Sequence, residues 1–349
     1  MNVCINGKNI NMSSPPYIIA EISGNHNGDI NRAIKLIELA NDCGADAVKI
    51  QTYTPDTMTI NSNKTDFLIN EGLWNGYSLY ELYQQAHTPW EWHEKLFKKA
   101  RDIGITIFST PFDETSVDFL EQFNPPAYKI ASFEIVDIPL IEKISKTGKP
   151  IIISTGMADI NDINLAFDTL RNNGAKEIIL LHCTSGYPTP ISESNLITIT
   201  DLHKKFDAVI GLSDHTLGLT AAITSIALGA KVIEKHFTLD RTEGGADAEF
   251  SIEPDELAAL CQECSSSWLS IGKVKDELQP SELQNIKFRR SIYAIKDIRK
   301  GEKFTTENIR KIRPGFGLHP KYYFEILDKI STVDIEAGTP MMREFFNNK

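Results

Sequence analysis

Short apolar runs rich in Val and Ile recur along the first two thirds of the chain, each followed by a longer amphipathic stretch. The runs are Tyr17–Ser23, Ala47–Thr52, Ile105–Thr110, Ala127–Ser132, Ile151–Thr155, Ile178–Thr184, Ala208–Ser213 and Lys231–Phe237. They are short and β-branched, which predicts buried strands. Between them, sets such as Ile30, Ala33, Ile34 and Ile37, or Trp92, Leu96, Phe97, Ala100 and Ile103, repeat at helical spacing. Strand–helix alternation predicts parallel βαβ units. Eight units over roughly 220 residues predict an α/β fold of the (β/α)8 TIM-barrel type. No Gly-x-Gly-x-x-Gly follows the first run, which weighs against a dinucleotide-binding open sheet.

The pattern changes near the C-terminus. Asp276–Asn285 is polar and contains one proline, and it reads as a linker between a barrel domain over 1–275 and a module over 286–349. The module carries short apolar runs between turn signals such as Arg313-Pro314-Gly315, and it predicts a small β-rich domain. The long stretch Pro55–Pro89 after the second strand predicts an extended connection at the C-terminal face of the barrel, where function concentrates.

Charge sharpens the division. The chain has 349 residues and a formal net charge of −11. Asn285 to the end holds 14 Lys+Arg against 8 Asp+Glu, a net of +6, so the remainder carries 22 against 39, a net of −17. An acidic chain lacks the basic footprint of a nucleic-acid binder. No run reaches membrane-span length, and the N-terminus has no apolar signal region. The five cysteines have no framework spacing, which fits a reducing cytoplasm. Cys261 and Cys264 form a C-x-x-C, but they share a helical stripe with Leu257, Leu260, Trp268 and Ile271, which favours packing over metal or redox chemistry.

Alternation along the strands sorts inward from outward side chains. Ile19, Glu21 and Ser23 share one face. So do Ala47, Lys49 and Gln51; Ala127 and Lys129; and Val232, Glu234 and His236. Two lysines, two glutamates and a histidine therefore point toward the barrel mouth. Buried there, they need ligands, a metal or each other. Lys49 and Lys129 suit a phosphate or carboxylate, or else a structural Lys–Glu network. His215 and His236 close adjacent strands, either as structural histidines or as two ligands of one divalent cation with open positions. Thr110, Ser132, Ser154, Ser185 and Ser213 add short donors at strand ends.

These segments together resemble the sialic-acid synthase family. The resemblance rests on YIIAEISGNHNG (17–28), ADAVKIQT (45–52), FSTPF (108–112), AYKIASFE (127–134), KPIIISTGM (149–157), HCTSGYPTP (182–190), IGLSDHT (210–216), VIEKHFT (232–238) and FSIEPDE (250–256). RSIYAIKDIRKG (290–301) and RPGFG (313–317) resemble that family's antifreeze-like SAF module, a β-clip. KIQTYTPDTMT (49–59), Gly72-Leu73-Trp74 and SLYELYQQAHTPWEWH (78–93) resemble one branch more closely, the branch whose product is pseudaminic acid. Sialic and legionaminic acid enzymes usually have Phe at the place of Ile50. GGAD (244–247) departs from the sialic pattern, which has Pro before the Asp.

The resemblance implies condensation of phosphoenolpyruvate with an open-chain amino-sugar aldehyde, releasing phosphate. His215 and His236 would hold a divalent metal, typically Mn2+. Lys49, Thr110, Lys129, Ser132, Ser154, Ser185 and Ser213 would bind phosphoenolpyruvate. Glu21 and Glu234 would handle protons. Gln51, Asn75, Glu134, Tyr187, Asp247, Phe288 and Arg313 would contact the sugar. It also implies a domain-swapped homodimer in which the tail, with Arg313, covers the partner's barrel mouth. The alternatives are a sialic or legionaminic acid enzyme with the same chemistry, and a non-catalytic sugar- or phosphate-binding barrel.

Overall fold

The computed structural model describes residues 1–346. The chain divides into two compact units, Met1–Gly272 and Lys273–Lys349. In the first, eight strands form a closed parallel barrel: β3 (Tyr17–Glu21), β4 (Ala47–Thr52), β5 (Thr106–Pro111), β6 (Tyr128–Ile130), β7 (Ile151–Ser154), β8 (Ile178–Cys183), β9 (Val209–Asp214) and β10 (Val232–His236), with β10 closing on β3. Both ends of every strand lie within two residues of the ends of its predicted run.

The inner face of the barrel changes character along its axis. At the strand starts it is apolar: Tyr17, Ile19, Ala47, Phe108, Ala127, Ile152, Ile179, Leu181, Val209 and Val232 form one buried cluster. Two residues further on, the inward positions become Glu21, Lys49, Thr110, Lys129, Ser154, Cys183, Ser213 and Glu234. The fold thus has a dry floor and a polar mouth, and period-two alternation produces both. Gly211 lies on this inner face where there is no room for a side chain. A Cβ there would meet the Val232 carbonyl at 2.4 Å and Leu181 Cδ2 at 2.6 Å.

The outward strand positions, among them Ile18, Val48, Ile107, Ile153, Leu180, Ile210 and Ile233, pack against the helices in the main core. Helix Ile30–Asp42 buries Ala33, Leu36, Ile37 and Ala40, and helix His93–Ile103 buries Leu96, Phe97 and Ala100. Start signals are explicit: Asp159 caps helix Ile160–Asn172 in a reciprocal box with Asp162. Cys261 and Cys264 sit on helix Pro254–Ile271, and burial pushes both thiols up to about 12. They pack as small hydrophobes.

An N-terminal hairpin that the sequence pattern does not predict pairs β1 (Val3–Ile5) with β2 (Lys8–Ile10). Val3, Ile5 and Ile10 join the inner apolar cluster. Cys4 N donates to Glu177, Asn6 to Thr106, and Lys8 pairs with Asp46, all residues at or just before strand starts. The hairpin stoppers the barrel floor. Three-residue strands are too short to stand out as a periodic signal.

The long connection after β4 is partly ordered by its own elements. It contains helix Pro55–Met58, a bridge between Leu68 and Ser78, and helix Leu79–Ala86 capped by Ser78 and Glu81. Within the second unit, β11 (Ser291–Ala294) pairs antiparallel with β12 (Ile309–Ile312) over a core of Ile292, Ile298, Phe304, Ile326, Ile335 and Met341. The polar stretch read as a linker contains a four-residue helix, Pro280–Leu283. Among the described residues, no helix is long and apolar enough to cross a membrane.

Candidate active site

Four charged side chains meet at the barrel mouth, all nearly inaccessible to solvent: Glu21, Lys49, Lys129 and Glu234. Glu21 and Lys49 are register partners on adjacent strands, which places Lys49 Nζ 2.7 Å from Glu21 Oε2. Lys129 Nζ lies 3.1 Å from Glu234 Oε1, and Lys49 Nζ lies 3.7 Å from the same oxygen. Thr110 Oγ1 accepts from Lys49 at 3.1 Å, Gln51 Nε2 donates to Glu21 at 3.2 Å, and Ser213 Oγ donates to Glu234 at 3.3 Å. Alternation put these groups on one face; the closed sheet puts them on one axis.

The two glutamates are shifted in opposite directions. Burial drives the Glu21 carboxyl up, and the neighbouring Glu234 adds to that against the opposing pull of Lys49. Burial acts on Glu234 in the same direction, but Lys129 and Lys49 together outweigh it and hold this carboxyl below its ordinary value. Burial lowers Lys129, whereas for Lys49 the two glutamates outweigh burial and raise it. Glu134, on the turn after β6, is pushed up to about 7 by burial, and its Oε2 has no hydrogen-bond partner.

Beside this quartet, the β7 and β8 ends form a cradle of small donors. Gly156 N donates to Ser132 Oγ at 3.2 Å, and Ser185 Oγ lies 3.8 Å from Cys183 Sγ. A Cβ at Gly156 would strike Ser185 Oγ at 2.1 Å and Ser132 Oγ at 2.7 Å, so the backbone here approaches both hydroxyls as only glycine permits. Ser154 Oγ is buried without a partner. An unpaired buried donor on the same inner face as two buried lysines suits an anion with several acceptor oxygens. A cavity of about 440 Å³ touches this cradle only at Cys183, Ser185 and Gly186; Thr155, Ile163, His182, Thr198 and Leu202 line its other side, toward the helices, and none of the quartet lines it.

His215 and His236 stand with ring centroids 5.3 Å apart. His215 Nδ1 contacts the Thr184 carbonyl at 3.1 Å and lies 3.7 Å from Cys183 Sγ. His236 Nδ1 lies 3.3 Å from Ser23 Oγ and 3.8 Å from Asp247 Oδ2. In both rings Nδ1 is engaged, which leaves Nε2 for a ligand, the arrangement that outer-sphere partners impose on metal-binding imidazoles. Burial holds His236 well below its ordinary value and therefore neutral, the form that ligates. Among the described residues no group of three or more His, Cys, Asp or Glu is set to hold a metal ion. The donor set fits a cation bound by two imidazoles that takes its remaining ligands from water or substrate.

An aromatic wall borders the histidines. Tyr187 lies 4.6 Å from His215 and 5.2 Å from Phe250, and Phe250 lies 4.8 Å from His236. Trp74 extends the wall, 5.7 Å from Tyr187, and its Nε1 donates to the Ala246 carbonyl at 2.7 Å. Asp247 is raised by burial.

The structure thus brings together Glu21, Lys49, Gln51, Thr110, Lys129, Ser213 and Glu234, and places Ser132, Ser154 and Ser185, Tyr187 and Asp247, and the two histidines around them. Asn75 is exposed on its hairpin, and it is its neighbour Trp74 that docks. Phe288 and Arg313 belong to the second unit, where both are exposed. The sequence pattern alone does not single out Cys183, Ser23, Phe250 or Trp74 as site residues. Cys183 was within reach, as the next inward position after Ile179 and Leu181. Ser23 appeared on the Glu21 face without a role. Phe250 and Trp74 lie on irregular connections that have no period to follow.

The sequence matches the NeuB family over residues 36–276 and the SAF domain over residues 289–345. It is 45% identical to a pseudaminic acid synthase of Campylobacter jejuni, covering 97% of this chain and 98% of that protein. It is 44% identical to a pseudaminic acid synthase of Helicobacter pylori, covering 95% and 97%. The crystal structure of an N-acetylneuraminic acid synthetase from Leptospira borgpetersenii, in complex with citrate, superposes with a TM-score of 0.74 at 33% identity, covering 82% of this chain and 95% of that one.

Proposed function

The chain belongs to the NeuB family, and from that premise we propose that it condenses phosphoenolpyruvate with 2,4-diacetamido-2,4,6-trideoxy-L-altrose and water to give pseudaminic acid and phosphate. The observation that carries this reading is the near full-length similarity, at 44–45% identity, to enzymes named for that product. The geometry supplies a physical route.

Phosphoenolpyruvate is a small polyanion. With the Glu21 carboxyl driven toward its neutral form and Glu234 held toward its ionised one, the charge balance of the buried quartet leans toward the two lysines in a low dielectric. Lys49, Lys129 and the hydroxyls of Thr110, Ser132, Ser154, Ser185 and Ser213 hold the phosphate and carboxylate and fix orientation. Carbon 3 of phosphoenolpyruvate attacks the sugar aldehyde, forming the C–C bond, and positive charge develops at carbon 2. The ionised Glu234 faces that charge and takes the proton of the water that adds there. Glu21 gives its proton to the oxygen of the former aldehyde. The tetrahedral adduct then collapses with C–O cleavage and phosphate leaves. A divalent cation on His215 and His236, typically Mn2+, would polarise the aldehyde when bound. Gln51, Glu134, Tyr187 and Asp247 line the space left for the sugar.

The proposal extends to a cytoplasmic homodimer in which the basic tail, through Arg313 and Phe288, serves the partner's site. The charges of +6 and −17 support such docking.

A panel of amino sugars, each incubated with phosphoenolpyruvate and Mn2+, tests the assignment by phosphate release. The altrose sugar should give the highest kcat/KM. Turnover of N-acetylmannosamine or of the legionaminic precursor in its place would reassign the sugar. Binding without release from any of them would favour a non-catalytic barrel.

A further inference from the structure

Lys235 and Asp214 lie back to back with the catalytic face. They are register partners on β10 and β9 and point outward, into the layer where Leu212, Ile233 and Phe237 pack against helices. Their side chains are 0% and 1% exposed, with Lys235 Nζ 2.7 Å from Asp214 Oδ2. A charge pair in an apolar layer gains little stability over a hydrophobic pair of equal volume. Its hydrogen bonds show what else it does. Lys235 Nζ also donates to the Thr216 carbonyl at 2.7 Å. Asp214 Oδ1 accepts from Thr216 N at 2.9 Å and from Thr216 Oγ1 at 2.8 Å. Both backbone polar groups of Thr216 are therefore tied to the pair, and the residue enclosed between Asp214 and Thr216 is His215. Thr189 N donates to the His215 carbonyl at 2.9 Å, which fixes the turn from its other side. The residue that follows Lys235 is His236.

We infer that the Lys235–Asp214 pair is a positioning strut for the metal site: it locks the 214–216 turn to β10 and so sets the spacing of the His215 and His236 imidazoles. This rests on the reading of those histidines as metal ligands. Both residues act through the histidines and touch no substrate. The strut restrains backbone on two strands at once, which an apolar pair of the same volume would not do, because only Lys235 can hold the Thr216 carbonyl.

The test separates positioning from stability. Lys235→Met alone leaves Asp214 buried and unpaired and should lower the melting temperature. The double variant D214N/K235M removes both charges, keeps an acceptor for Thr216 N–H, fills the lysine volume and should recover the stability. Mn2+ affinity, measured on the full-length protein without substrates by loss of the free-ion electron paramagnetic signal, should stay weaker by about tenfold or more in both variants. The Mn2+ concentration for half-maximal activity should rise in step, while the KM for phosphoenolpyruvate at saturating Mn2+ stays at the wild-type value. A stable double variant with wild-type Mn2+ affinity overturns the inference. If the double variant does not fold, Thr216→Val carries the test: it keeps the ion pair and loses one hydrogen bond, and Mn2+ should bind about threefold more weakly. Unchanged affinity in that variant overturns the inference as well. Failure of the wild-type protein to bind Mn2+ overturns the metal reading itself.

Discussion

Three carboxyls at the mouth share a chemistry and differ in surroundings. Glu234 has two ammonium groups within 3.7 Å and stays ionised despite burial. Glu21 shares Lys49 with Glu234 and is driven up. Glu134 has no ion-pair partner and rises to about 7. For Glu134 the consequence is a stability change of defined sign. Its folded value lies above its unfolded value near 4.5, so its contribution to stability is present below about 4.5 and is lost as pH rises through 7. Glu134→Gln removes that loss. The variant should melt with the wild type at pH 4 and be more stable at pH 8, by on the order of 1–2 kcal/mol once partial exposure is allowed for. Thermal denaturation of the unliganded protein at the two pH values checks this. An equal difference at both would show that the carboxyl does not titrate in that window.

At the scale of elements, the barrel strands each begin apolar and end polar, and the hairpin β1–β2 closes the apolar end. Stability and chemistry are therefore separated along the axis, as barrels commonly arrange them. Ile5→Ala should cost about 2–5 kcal/mol, the range for emptying a buried aliphatic site. Because the hairpin touches strand starts only, kcat/KM below the unfolding transition should be unchanged. Urea melts with steady-state kinetics on the same samples check both halves, and a loss of kcat/KM in folded protein would contradict the separation.

The same axis explains what the sequence makes legible. Strand–helix alternation and period-two facing identify the eight strands and place Glu21, Lys49, Lys129, Glu234 and His236 together, because regular elements translate spacing into direction. The hairpin escapes because three-residue strands carry no period. Trp74 and Phe250 escape because the connections holding them follow no regular geometry. Cys183 escapes for a different reason: alternation from Ile179 and Leu181 turns it inward, but a single thiol among serines does not announce a role. The Lys235–Asp214 pair escapes because outward strand positions are expected to be apolar, and only the register shows the two charges side by side.

For the molecule as a whole, the uneven charge and the two-unit division bear on assembly. If each tail completes its partner's site, two inactive proteins can complement each other. Arg313→Ala damages the tail and leaves the barrel intact; His236→Ala does the reverse. On denaturation and mixed renaturation, half of the dimers pair one of each and hold one intact site, so about a quarter of wild-type activity should return. Each variant alone should stay far below that. No recovery in mixed dimers confirmed by mass would place the tail over its own barrel or away from the site.

In the proposed reaction this mouth joins phosphoenolpyruvate to an aldehyde sugar and releases phosphate by C–O cleavage. Phosphoenolpyruvate carrying 18O at the bridging position, supplied with the altrose sugar and Mn2+, tests it most directly by mass spectrometry of both products. One labelled phosphate should appear for each nine-carbon acid formed, with no label in the acid. Label retained in the acid, or phosphate released without a nine-carbon product, would contradict it.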